Sequence, residues 1–132
     1  MALLVPVSWG ELLDKIAILR IKSERITDNV KRANVIHELE RLDELRYGAV
    51  TESDELAELE KGLKEVNEAL WDIEDDIRIC EKDRDFGPRF VGLARSVYKT
   101  NDRRAALKYS INMLLGSDLV EEKSYEPYDD NE

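Results

Sequence analysis

The sequence predicts an all-α fold, a helical bundle of four to five helices with short loops, and three observations support this. Leu56, Leu59, Leu63, Val66, Leu70, Ile73, Ile77 and Cys80 follow a strict 3-4-3-4-3-4-3 spacing, which defines a coiled-coil-like seam on one long helix. Helix start and stop residues recur at intervals along the rest of the chain. A strand pattern competes only at residues 3–7 and 119–125.

The elements follow in order. Ser8 and Glu11 form an S-x-x-E capping box that opens a first helix. Leu12, Ile16, Leu19 and Ile26 share one face of it, and only Ser23 interrupts that stripe. Asp28 caps a second helix with Val35, Leu39, Leu42 and Leu45 on its buried face, and Tyr47-Gly48 ends it. Thr51 or Ser53 caps the long helix, about residues 53–83. Its first turn carries Asp54 and Glu55, where the helix dipole favours acids. Gly62 and Ala69 flank the seam and leave room for a neighbouring helix. Phe86-Gly87-Pro88 breaks the chain, because proline lacks a backbone donor and restricts the residue before it. Phe90, Leu93, Ala94 and Val97 mark a fourth helix. Asn101 reads as a cap or hinge before a last apolar run, Ala106, Leu107, Ile111, Leu114 and Leu115, which Gly116 closes.

At 132 residues the chain fits one domain, taken as residues 1–128, with an acidic tail at 129–132 expected to be disordered. Apolar residues at 42% supply enough material for a core without disulfides or a structural metal. A net charge of −10 argues against nucleic acid or an anionic membrane as a general partner. Residues 2–7 are apolar but far too short to span a bilayer, so a soluble cytoplasmic protein is expected. The single cysteine, Cys80, lies on the seam and reads as a small buried hydrophobe. His37 is the only histidine, so no His-based zinc site and no His-activated nucleophile is expected elsewhere. No cofactor and no metal are expected.

Charge is distributed unevenly. Residues 51–85 hold five basic and fourteen acidic side chains, net −9. Residues 86–115 hold six basic and one acidic, net +5, and residues 116–132 hold one basic and seven acidic, net −6. The basic segment has two readings. Its cations neutralise the acidic long helix and tail, or Arg95, Arg103 and Lys108 bind an anion, with Arg78, Trp71 and Tyr98 shaping the pocket. Arg103 and Arg104 after a cap at Asn101 would add unpaired helix N–H groups to such a site. Asn67, Trp71, Glu74 and Arg78 form a mixed stripe beside the seam, suited to a helix contact or to one wall of a pocket. Carboxylates at Glu40, Asp43, Glu65, Glu68, Asp72, Asp75 and Asp76 raise a Mg²⁺ site, but Glu65, Glu68, Asp72 and Asp75 fall on the outward face of the long helix. Residues 119–128 carry Leu119, Val120, Tyr125 and Tyr128 and are expected to pack back onto the basic last helices.

The stretches VSWGELLDKIAILRIKSERI (Val7 to Ile26), LARSVYKTNDRRAALK (Leu93 to Lys108) and EEKSYEPY (Glu121 to Tyr128) resemble recurring blocks of an uncharacterised bacterial family of short proteins, a domain of unknown function. The resemblance covers nearly the whole chain and implies a helical fold with no assigned activity. It also implies the polar positions to test: Lys15, Lys22, Arg95, Tyr98, Asn101, Arg103, Lys108, Glu121, Lys123 and Tyr125.

Together these observations favour a non-enzymatic helical binding or assembly module. A homodimer through Leu56, Leu59, Leu63, Val66, Leu70 and Ile73 is expected, with a protein partner also open. The alternative is a binder of, or enzyme acting on, a small anionic metabolite, phosphorylated or nucleotide-like. Mg²⁺-dependent pyrophosphate hydrolysis is a third reading that the fold class allows.

Overall fold

A computed structural model describes residues 1–129 as α1 (Trp9–Arg25), α2 (Asn29–Ala49), α3 (Asp54–Lys82) and α4 (Pro88–Leu114), with no strand among the described residues. The three expected caps are made. Ser8 Oγ accepts from Glu11 N–H at 3.1 Å, the Asp28 carboxylate from Lys31 N–H at 2.9 Å, and Ser53 Oγ from Leu56 N–H at 3.1 Å. The capping box at Ser8 is only half formed, because the Glu11 carboxylate turns away to Lys108.

α3 ends where Arg84 takes a left-handed φ of 56°, and its N–H and that of Asp85 return to the carbonyls of Glu81 and Cys80. Gly116 closes α4 the same way at φ 64°, with Ser117 N–H reaching the Asn112 carbonyl at 2.8 Å. Pro88 then opens α4 at the position where a missing N–H costs nothing.

α1 packs against each of the other three helices, and α3 also packs on α4. The last two run antiparallel, with Gly62 facing Leu107 and Asp76 near Arg89. Gly62 provides the expected close approach, since a methyl group there would press on the Leu107 side chain at 3.1 Å. The core consists of Leu13, Ile16, Ala17, Leu56, Leu63 and Ile111, ringed by Trp9, Leu12, Leu39, Leu42, Leu59 and Leu107. Each fully buried Leu or Ile stabilises the fold by about 1.5–3 kcal/mol. Leu56, Leu63 and Cys80 of the seam are fully enclosed by their own chain, while Leu59, Val66, Leu70 and Ile73 are half-buried.

α2 is the peripheral helix. It rests on α1 through Leu39 and Leu42 and reaches α3 through Arg46, whose guanidinium binds Glu52 and Glu60 at 2.6 Å each. Leu45, expected on its buried face, is exposed.

Asn101 neither caps nor bends a helix, because α4 runs unbroken from Pro88 to Leu114. Residues 3–7 are exposed and unpaired rather than a strand. Of the tail expected to be disordered, residues 130–132 lie outside the described residues.

Candidate functional site: a groove between the last helix and the tail

The site begins at the first turn of α1, whose N–H groups have no partner within their own helix. Ser8 Oγ serves Glu11, Asn112 Oδ1 accepts from Gly10 at 2.7 Å, and Ser117 Oγ accepts from Trp9 at 3.3 Å. Two of the three acceptors therefore come from the far end of the chain. Gly10 makes this possible, because any side chain there would collide with the Lys108 carbonyl oxygen.

One turn further, the Asp14 carboxylate is almost completely buried, with 1% of its surface exposed. It accepts from both Nε and Nη2 of Arg104 and from Asn67 Nδ2 at 2.8 Å, so α1, α3 and α4 meet on one carboxylate. The hydrogen bonds that Arg104 donates to Asp14 raise its pKa above its ordinary value.

Lys108 stands beside this pair. Burial pushes its pKa down, but hydrogen bonds to Glu11 at 2.8 Å and Glu121 at 3.0 Å outweigh that and leave it raised. The same contact with Lys108 holds the Glu121 carboxyl below its usual range. Among the described residues no buried side-chain nitrogen or oxygen lacks a hydrogen-bond partner.

Glu121 belongs to the chain that leaves α4, so its pairing with Lys108 turns residues 117–128 back along that helix. Further along, the Tyr128 hydroxyl donates to Asp102 at 2.6 Å, and the Tyr98 and Tyr128 rings meet edge to face at 5.2 Å. The tail thus lies along α4 as expected, but through these polar and ring contacts rather than by burial, since Leu119, Tyr125 and Tyr128 stay exposed. Between tail and helix lies an open groove of about 1140 Å³. Tyr98, Asn101, Asp102, Arg104 and Lys108 line it from α4, and Lys123, Tyr125, Glu126 and Tyr128 from the tail.

The six residues of the expected anion site do not come together as one pocket. Tyr98 and Lys108 line the groove. Arg103 donates to Thr100 Oγ1 of its own helix at 3.1 Å, and because α4 is continuous its backbone N–H lies inside a helix rather than at a free terminus. Arg78 pairs with Glu74 on the exposed side of α3. Trp71 stacks beneath Arg25 at 5.7 Å, toward α1. Arg95 is engaged within the chain. The mixed stripe on α3 therefore splits: Asn67 is buried on Asp14, Trp71 sits under Arg25, and Glu74 and Arg78 face solvent. On the outward acidic face, Asp72 is paired with Arg25 at 2.6 Å. Among the described residues no group of His, Cys, Asp or Glu is placed to hold a metal ion, and no helix is long and apolar enough to cross a membrane.

The sequence reading missed Gly10, Glu11 as a partner of Lys108, Asp14, Asn67 as its ligand, and Asn112. One signal was available for Asp14: it lies among Leu13, Ile16 and Ala17 on the apolar face of α1, and a cation to pair with it, Arg104, lies in the basic run. Of the ten positions suggested by the family-like blocks, Tyr98, Asn101, Lys108, Lys123 and Tyr125 line the groove and Glu121 lies beside it.

Fold and site together define a small four-helix protein with an open groove between α4 and the tail, beside a buried polar layer. The chain belongs to DUF6165, a family of unknown function, whose model matches residues 3–129. No curated protein and no solved structure matches it.

Proposed function

We propose that the protein is a helical binding module and that its ligand site is the groove between α4 and the tail. The observation that carries this reading is the construction of the groove. One wall is a segment without secondary structure, held in place by Lys108, Glu121, Asp102 and Tyr128, while three tyrosines present substantial exposed surface along it. Exposed aromatic surface grouped over a rigid polar base is unusual for a surface with no partner. Assembly through the α3 seam is the weaker reading, because Leu56 and Leu63 are already enclosed within one chain.

Titration of ¹⁵N-labelled protein with a fragment set of neutral, anionic and cationic aromatic and aliphatic compounds tests the proposal. Binders are expected to shift the amides of Tyr98, Asn101, Lys123 and Tyr125 first, and the effect should vanish in Tyr98→Ala. Binders mapping only to the outer faces of α2 and α3 would overturn it.

A further inference from the structure

The ligand class can be narrowed from the charges around the groove, an inference that rests on the binding reading above. Every cation lining the groove already has a carboxylate within the chain. Arg104 is held by Asp14, Lys108 by Glu11 and Glu121, and Lys123 by Glu121 at 3.3 Å. Arg95 and Lys99, on the preceding turns of α4, are engaged as well. Among the described residues, two lining carboxylates have no cation bonded to them: Asp102, which accepts the Tyr128 hydroxyl, and Glu126. An anion entering the groove would compete with carboxylates already in place, whereas a cation entering beside Asp102 would meet a carboxylate that bonds only the Tyr128 hydroxyl.

The aromatic rings point to the same charge. Tyr98 and Tyr128 stand at 76° to each other with centroids 5.2 Å apart, and both line the groove, so they form a corner. Asp102 sits beside that corner, one helical turn from Tyr98 and bonded to the Tyr128 hydroxyl. Tyr125 already holds a cation within the chain, the Lys123 ammonium 5.7 Å from its ring centroid. Ring faces attract cations through their quadrupole, and an adjacent carboxylate strengthens the attraction. Bulky alkylated ammonium groups suit such a corner because they are weakly hydrated and lose little on leaving water.

We propose that the groove takes an organic cation, a quaternary or alkylated ammonium on a short apolar or polar body, in the Tyr98–Tyr128 corner with Asp102 as counter-ion. The test compares choline with its neutral carbon isostere 3,3-dimethyl-1-butanol and with inorganic phosphate, each followed by NMR on the full chain. Choline should bind at least tenfold more tightly than the isostere and shift the Tyr98 and Tyr128 ring signals. Asp102→Asn and Tyr98→Leu, both exposed changes, should each weaken it several-fold while leaving the amide spectrum of α1–α3 unchanged. Equal binding of choline and the isostere, or groove binding by phosphate in place of choline, overturns the cation assignment and leaves the groove as a binding site. No perturbation of the groove by any fragment or probe overturns both readings.

Discussion

Along the α3 seam the deeply buried side chains are Leu56, Leu63 and Cys80, whereas the polar layer where α1, α3 and α4 meet buries Asp14, Asn67, Lys108 and Asn112 beside Gly10. Both contacts exclude water. The first does so with apolar groups that need only the right volume. The second does so with groups that each require a particular partner, and those partners lie 53 to 102 positions away in sequence. The apolar contact therefore sets the architecture, while the polar one fixes where the chain termini lie relative to each other and so creates the groove.

This difference predicts how each contact fails. Leu63→Ala removes a fully enclosed side chain and should cost about 2–5 kcal/mol, seen as a lower midpoint in urea denaturation with the groove retained. Asp14→Ala leaves the Arg104 guanidinium without its carboxylate and Asn67 with only the Leu63 carbonyl, and should cost about 3 kcal/mol. A double-mutant cycle with Arg104→Ala should recover part of that loss; strict additivity would mean the pair acts independently. Asn112→Ala strands the buried Gly10 N–H and should cost about 1–3 kcal/mol.

Docking of the tail should also depend on pH. Glu121 has its pKa lowered from 4.5, so its contribution is complete above that value and is lost as pH falls through the lower folded pKa. Lys108 has its pKa raised from 10.5, so its contribution holds below that value and fades as pH rises through the higher folded pKa. The cross-peak between the Tyr98 and Tyr128 rings should therefore hold through neutral pH and weaken in acid below pH 4.5. The smallest effect belongs to neither contact. Arg84→Gly relieves a left-handed φ at the end of α3 and should stabilise by about 1 kcal/mol.

The same difference explains what could be read in the sequence. The seam on α3, the caps at Ser8, Asp28 and Ser53, and the break at Gly87-Pro88 depend on residues within a few positions of each other, and all are present. Asn101 misled because asparagine commonly caps helices, yet here it is an exposed residue within α4, beside the groove. The basic segment was recognisable as a feature, and its neutralisation by the long helix or the tail was one of the two readings, met by Asp76 and Glu121 but not by the two acids of α1. The acids concerned, Asp14 and Glu11 on α1 and Glu121 in the tail, become visible only when α1 and α4 are laid side by side. Expecting Arg78 and Trp71 near Arg103 required knowing which face of α3 turns toward α4, and single-helix periodicity does not supply that.

The claim on which the rest depends is that the Lys108–Glu121 pair holds residues 119–128 against α4 to form the groove. The most direct measurement is the heteronuclear ¹H–¹⁵N NOE of those residues in the wild type and in Lys108→Met. We expect wild-type values close to those of α4 and a marked drop across the tail in the variant, with α1–α3 unchanged. Values typical of a free chain in the wild type, or a tail unaffected by Lys108→Met, would contradict it.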